Sequence, residues 1–199
     1  MVTSDDVFDA VRRGYTEYSD ASASEIIDYF SSLNHNEFIG HLSNIKGIVF
    51  EQEVVDALNE QGLDAAAFEM TNHPATDIAL FDEEDTIAEI QLKATDSVSY
   101  ISSTLENHPD IPIISTSEVA NHFEETSMVI DSGLSNEVLT QSVSSVLLDS
   151  EHIDAAAEIG NEIASDCVSD SLADTLTDSV LPIPVSPLGA IASLIGLLL

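Results

Sequence analysis

The sequence predicts an α/β protein, in which a mixed β-sheet is flanked by helices and followed by a helical C-terminal extension. Two observations predict this class. The central segments follow the order helix, strand, strand, strand, helix, strand, which is typical of an α/β sandwich. The apolar content of 44% is too high for an acidic disordered chain, so the protein is expected to fold.

The N-terminal segment, residues 1–43, is predicted to contain two short helices. They are expected over residues 5–18 and 24–32, and Ser22 or Ser24 is the expected N-cap of the second. No residue in this segment suggests a chemical role.

A longer helix, predicted over residues 44–61, opens the core. Ile48 and Val55 belong to its apolar stripe, and Gly62 follows as the terminating residue. Glu51 lies within that stripe. A carboxylate on an apolar face needs a partner, and the two candidates are a metal ion and a buried hydrogen-bond network.

Three strands are predicted after this helix, at residues 65–70, 76–81 and 86–93. A loop through His73 and Pro74 separates the first two, and residues 82–85 form the turn between the last two. Side chains alternate along a strand, so Glu89, Gln91 and Lys93 share one face of the third strand. Asp77 joins that face only if it pairs with residue 89 or 91, which requires an odd-length loop or a bulge in the turn.

The remaining core elements are a helix and a buried strand. The helix is expected over residues 97–106, with Thr95 or Asp96 as its cap, and the strand over residues 111–115. Residues 117–180 are predicted to be helical throughout.

The C-terminus changes character at a proline-rich linker, residues 181–187, which leads into an almost wholly apolar tail, residues 188–199. That tail would make about 18 Å of helix, too short to span a bilayer, and no Lys or Arg follows Lys93. We expect it to pack on its own domain or on a second copy through the C-terminal helices, with shallow membrane contact as the alternative. The predicted location is cytoplasmic, with peripheral membrane association as the alternative. The predicted segments are therefore residues 1–43, 44–116, 117–180 and 181–199.

The cysteine and histidine content argues against a disulfide and a zinc site. Cys167 is the only cysteine, so it has no internal partner, and the six histidines are scattered without metal-site spacing.

The charge balance indicates adaptation to high salt. Four Lys and Arg residues stand against 37 Asp and Glu residues, and the formal net charge is −33. Such self-repulsion destabilises a compact state in dilute buffer, but multi-molar salt screens it. The acids are spread from Asp5 to Asp178, which excludes an acidic tail on a neutral domain. The sequence therefore predicts a halophilic source.

Lys93 is the most informative residue in the sequence, because it is one of only two lysines in a chain with very few basic residues. It lies beside a group of oxygen ligands suited to Mg²⁺ or Mn²⁺, and such ions assist phosphodiester hydrolysis. Asp77 is the predicted central ligand, completed by Glu89, by the side-chain oxygen of Gln91 or by a strand carbonyl. Glu51 would hold a second ion or orient a water molecule, and Lys93 would position that water or stabilise developing charge.

These residues resemble the PD-(D/E)xK nuclease superfamily, in particular Mrr-type restriction endonucleases and archaeal Holliday-junction resolvases. The resemblance covers about residues 44–116 and rests on three motifs: Gly47-x-x-Phe50-Glu51, Asp77, and Gln91-x-Lys93. It implies a restriction-endonuclease-like fold that cleaves DNA, with Asp77 as metal ligand, Lys93 as active-site lysine and Glu51 as supporting acid. Most members have Asp or Glu where this chain has Gln91, which leaves the role of Glu89 open.

The low number of basic residues supports an alternative. Nucleic-acid-binding proteins normally carry basic patches, and this chain has only Arg12, Arg13, Lys46 and Lys93. The second hypothesis is a catalytically inactive interaction module on the same fold, with membrane association through its tail as an option. Convergence of Glu51, Asp77, Glu89 or Gln91, and Lys93 in one pocket would favour the nuclease.

Overall fold

The protein has the predicted α/β architecture, with a five-stranded mixed sheet flanked by helices. The structure is a computed structural model that describes residues 2–68, 75–83, 85–123, 126 and 128–148. The His73-Pro74 loop, Cys167, the linker and the apolar tail lie outside the described residues. None of the described helices combines the length and apolar character needed to cross a bilayer.

The N-terminal segment forms two helices, α1 (Ser4–Gly14) and α2 (Ala23–Ser32), joined through a 3₁₀ turn at Thr16–Tyr18. Both begin with a capping box, in which the N-cap side chain accepts a backbone N–H and an acid three residues later bonds back. Ser22 is the N-cap of α2, as predicted. Local sequence therefore determines where these helices start.

The core helix α3 (His35–Glu60) begins earlier than predicted, with Asn34 as its N-cap and Glu37 completing a capping box. Phe38 and Leu42 extend its buried face, so the helix continues across the expected boundary at residue 43. Helix α1 packs against α3, and both contribute to one core cluster with the sheet.

Gly62 ends α3 in the predicted manner, with a φ of +87° just beyond the helix. Because a Cβ is disfavoured at that φ, Gly62→Ala should lower the free energy of unfolding by about 1–2 kcal/mol. Gly40 is the matched control, since it lies exposed within α3 and a Cβ there would contact nothing. Gly40→Ala should raise stability by up to about 1 kcal/mol. Thermal unfolding followed by circular dichroism in molar KCl would measure both changes in stability. Changes of the same sign in the two variants would contradict the role assigned to Gly62.

The sheet has the strand order β1-β2-β3-β4-β5. The first three strands are antiparallel, and β3, β4 and β5 are parallel. Their bounds are β1 (Asp64–Ala67), β2 (Ile78–Asp82), β3 (Asp85–Lys93), β4 (Ile113–Ser115) and β5 (Val129–Asp131).

Strand β5 corrects the expectation of helix throughout residues 117–180, of which the structure describes residues up to 148. Two helices, α5 (Ser117–Ala120) and α6 (Asn136–Leu147), lie on either side of it. A three-residue strand is too short to show a period, and it forms because Val129 and Ile130 pair with β4 and become buried.

A register shift in the β2–β3 hairpin determines which residues face one another. Ile78 pairs with Ile90 and Leu80 with Ala88, whereas Phe81 pairs with Thr86, so β3 carries an extra residue at this point. The bulge lies within the strands rather than in the turn. Continued by one residue, the Ile78–Ile90 register sets Asp77 opposite Gln91, which is the pairing that the candidate site requires.

The two faces of the sheet are covered by different helices. Ile90 and Leu92 belong to the large core cluster with α1, α3 and α6. Ile113, the partner of Gln91, belongs to a second cluster with Ile101 of helix α4 (Val98–Asn107). Gln91 therefore shares the α4 side of the sheet with Ile113.

Candidate active site

A pocket of about 370 Å³ lies where β2 begins and β3 ends, between α3 and α4. Its lining includes Glu51 of α3, Asp77 before β2, Lys93 at the end of β3, and Tyr100 of α4. The structure thus brings together three of the five site residues suggested by the sequence.

Asp77 is held by the neighbouring strand. Its Oδ2 accepts a hydrogen bond from the Leu92 backbone N–H at 2.7 Å, and its own N–H donates to the Ile90 carbonyl at 3.0 Å. Oδ1 has no hydrogen-bond donor within the described part of the chain. One oxygen therefore fixes the carboxylate, and the other has none of the described hydrogen bonds.

Lys93 forms an ion pair with Asp77, and its Nζ lies 3.5 Å from Oδ2. Its side chain is 18% exposed, so the amine is partly shielded from solvent. Its carbonyl accepts a hydrogen bond from Ser115 of β4 at 2.8 Å. Both neighbouring strands thus constrain the position of this lysine.

Glu51 reaches the pocket from α3 with its side chain only 17% exposed. Burial raises the pKa of the Glu51 carboxyl, the Arg13 guanidinium opposes that increase, and the nearby Asp77 carboxylate adds to it. Lys93 also favours the charged form. Glu51 is therefore electrostatically coupled to both of the other charged pocket residues.

Arg13 is a component of the site that the sequence analysis missed. Its Nη2 lies 3.1 Å from Glu51 Oε2 and donates to the Phe68 carbonyl at 3.3 Å. The adjacent Gly14 permits this approach of α1, because a Cβ there would lie 2.5 Å from Ile48 Cδ1 on α3. The scarcity of basic residues was the available signal: two of the chain's four Lys and Arg residues pair with the two pocket carboxylates.

Glu89 and Gln91 are not among the residues that line this pocket. Glu89 is exposed and accepts a hydrogen bond from the Thr76 hydroxyl at 3.1 Å. Gln91 is buried, and its Oε1 has no hydrogen-bond partner among the described residues. An unpaired buried oxygen is costly, so this amide is the better candidate for a further ligand.

The oxygen ligands of this site suit Mg²⁺ or Mn²⁺ provided that water or substrate completes the coordination shell. Mg²⁺ is usually bound through one or two carboxylates, with water and substrate phosphate completing its shell. Glu51 and Asp77 meet that requirement, and the unpaired oxygen of Gln91 lies on the strand opposite Asp77. Within the described residues, no group of three or more His, Cys, Asp and Glu side chains could hold a metal ion. An ion here would depend on water or substrate for part of its coordination.

Comparisons of the chain with family models, with curated proteins and with solved structures give no match.

Arg13 should stabilise the protein through Glu51, and the effect should depend on pH. Arg13→Ala is expected to lower the free energy of unfolding by about 1–3 kcal/mol, because a largely buried carboxylate loses its partner. It should also raise the pKa of Glu51 further. A carboxyl whose folded-state pKa exceeds its unfolded value holds more protons in the folded state, so stability falls as pH rises between the two values. In Arg13→Ala that fall should be steeper and extend to higher pH.

Arg12→Ala is the matched control, since Arg12 also bonds one carbonyl and one carboxylate, but its partner Asp9 is 64% exposed. Thermal unfolding from pH 4 to 8 in molar KCl would compare the two variants. If the stability of both variants changed with pH in the same way, the role assigned to Arg13 would be contradicted.

Proposed function

We propose that the protein is a divalent-metal-dependent nuclease that hydrolyses phosphodiester bonds of DNA, with a restriction-endonuclease-like core. The observation that carries the proposal is the convergence of Glu51, Asp77 and Lys93 on one pocket. These residues come from three separate elements and are the chemical types that metal-assisted phosphodiester hydrolysis needs. The element order α3-β1-β2-β3-α4-β4 also supports the PD-(D/E)xK resemblance.

The residues would divide the chemistry as follows. Asp77, and Glu51 or the Gln91 amide, would hold Mg²⁺ or Mn²⁺. When bound, the ion supplies Lewis acidity that makes water more acidic and offsets charge on the phosphate. Glu51, whose pKa is raised by burial, would accept the proton of the attacking water as its oxygen bonds to phosphorus. Lys93 would donate a hydrogen bond to a phosphate oxygen while the P–O ester bond breaks and the leaving oxygen takes up a proton from solvent water.

Cleavage of supercoiled plasmid DNA by the full chain in multi-molar KCl tests the proposal. Nicked or linear products should form with Mg²⁺ or Mn²⁺ and should disappear when EDTA is added. Absence of metal-dependent products from both plasmid and single-stranded DNA, over a range of salt concentrations, would contradict it.

A second candidate, an inactive interaction module on the same fold, is favoured by one observation. Each pocket carboxylate already has a cationic partner, Arg13 for Glu51 and Lys93 for Asp77, so the pocket is balanced without a metal ion. Thermal unfolding with and without Mg²⁺ at constant ionic strength distinguishes the metal-dependent nuclease from the inactive module. A metal site should raise the melting temperature in wild type and not in Asp77→Asn, whereas a purely structural ion-pair cluster should show no shift.

A further inference from the structure

We propose that the pocket receives an unpaired nucleotide, with Tyr100 as the aromatic surface on which its base stacks. The substrate class would then be single-stranded DNA, or an unpaired segment of a longer DNA, rather than intact duplex. This inference rests on the proposed nuclease function and specifies its substrate.

The first observation is the exposure of Tyr100. The ring is 51% exposed, and among the described residues only Val138 is another exposed large hydrophobic side chain. Tyr100 also lines the same pocket as Glu51, Asp77 and Lys93. An exposed aromatic ring beside a lysine could stack on a base while the Lys93 amine binds its phosphate.

The second observation is that the backbone at Tyr100 is fixed in the first turn of α4. Ser97 caps α4 by accepting the backbone N–H of Tyr100 at 3.3 Å, and the next residue, Ile101, is fully buried. The Tyr100 hydroxyl makes no hydrogen bond to any described residue, so a structural role for that group is not evident. A ring on a fixed helical turn loses little freedom when a base stacks on it.

The third observation concerns charge. Duplex binding draws on many contacts between basic side chains and phosphates, and this chain has four Lys and Arg residues against 37 acids. Arg12 pairs with Asp9, and Lys46 is directed to Asn136, so neither is committed to the pocket. Stacking uses the faces of the bases and depends less on charge, so it survives the high salt that the composition predicts.

The size of the pocket agrees with a single nucleotide. Its volume of about 370 Å³ falls in the range of sites that enclose one small organic ligand. Its lining combines carboxylates and a lysine with a tyrosine, which suits a ligand that carries both a phosphate and a flat base.

The test is fluorescence anisotropy of a labelled oligothymidylate and of a labelled hairpin duplex of equal length, in molar KCl with Ca²⁺ in place of Mg²⁺. Wild type should bind the single strand more tightly than the duplex. Tyr100→Ala and Tyr100→Leu should weaken single-strand binding roughly 5- to 100-fold, while Tyr100→Phe and Tyr100→Trp should retain it. Val138→Ala, which removes the other exposed apolar side chain, should bind like wild type, and circular dichroism would confirm that all variants fold.

Equal or tighter binding of the duplex, or unchanged binding by Tyr100→Ala and Tyr100→Leu, would overturn the inference even if plasmid cleavage succeeds. Tyr100-dependent binding of the single strand without cleavage of any DNA would instead refute the nuclease proposal and leave the nucleotide pocket standing.

Discussion

Lys93→Ala and Asp77→Asn are each expected to reduce metal-dependent cleavage by about 10²- to 10⁴-fold while leaving the fold intact. Lys93 supplies the only lysine amine that lines the described pocket, and Asp77 offers a carboxylate oxygen that has none of the described hydrogen bonds. Asparagine keeps an acceptor for the Leu92 N–H, so Asp77→Asn removes the charge with little structural change. The rate of plasmid nicking in molar KCl measures the effect.

Two control variants make this prediction specific. Arg12→Ala removes a cation outside the pocket, and Asp110→Asn removes a carboxylate charge at an exposed position before β4. Both should cleave at the wild-type rate. Because the wild type and the four variants are purified alike, equal nicking by wild type and both pocket variants would identify the activity as a contaminant.

The protein should lose its structure when salt falls well below molar concentration. The chain has a formal net charge of −33, so its carboxylates repel one another. That repulsion extends over a Debye length of about 10 Å in 0.1 M salt but only about 3 Å at 1 M. Four Lys and Arg residues cannot offset 37 acids, so most carboxylates depend on screening rather than on ion pairs. Far-ultraviolet circular dichroism during stepwise dialysis from multi-molar KCl into dilute buffer should show loss of helix.

Sucrose provides the control for this second experiment. It favours burial by exclusion from the protein surface but does not screen charge, so it should not replace KCl. Retention of the full helical signal in dilute buffer would contradict the inferred adaptation to salt. Rescue by sucrose alone would show that preferential exclusion, rather than screening, maintains the fold.

The order of the core elements could be predicted because each has a local signal. The period of 3.6 identified α3, Gly62 marked its end, and alternation along residues 86–93 identified β3. Where those signals were weak, the prediction was incomplete. Strand β5 is three residues long and is held by its pairing with β4, so nothing within it distinguishes it from a helix or a loop.

The residues of the candidate site could also be predicted only in part. The pattern around Glu51, Asp77 and Lys93 predicted their convergence, because a helical stripe and a two-residue period specify which way side chains point. Glu89 shares the strand period with Lys93 but is exposed and bonded to Thr76. Arg13 and Tyr100 lie outside the motif, so no spacing rule related them to it.

The sequence alone determined the charge of the protein, the order of its central elements and the chemical types available to the pocket. These properties follow from composition and from contacts within a few residues. Only the tertiary structure decided the bulge that sets Asp77 opposite Gln91 and the contact between α1 and α3 in which Arg13 pairs with Glu51. Both depend on contacts between distant parts of the chain, whose free energies are decided by how helices and strands fit together rather than by local preference.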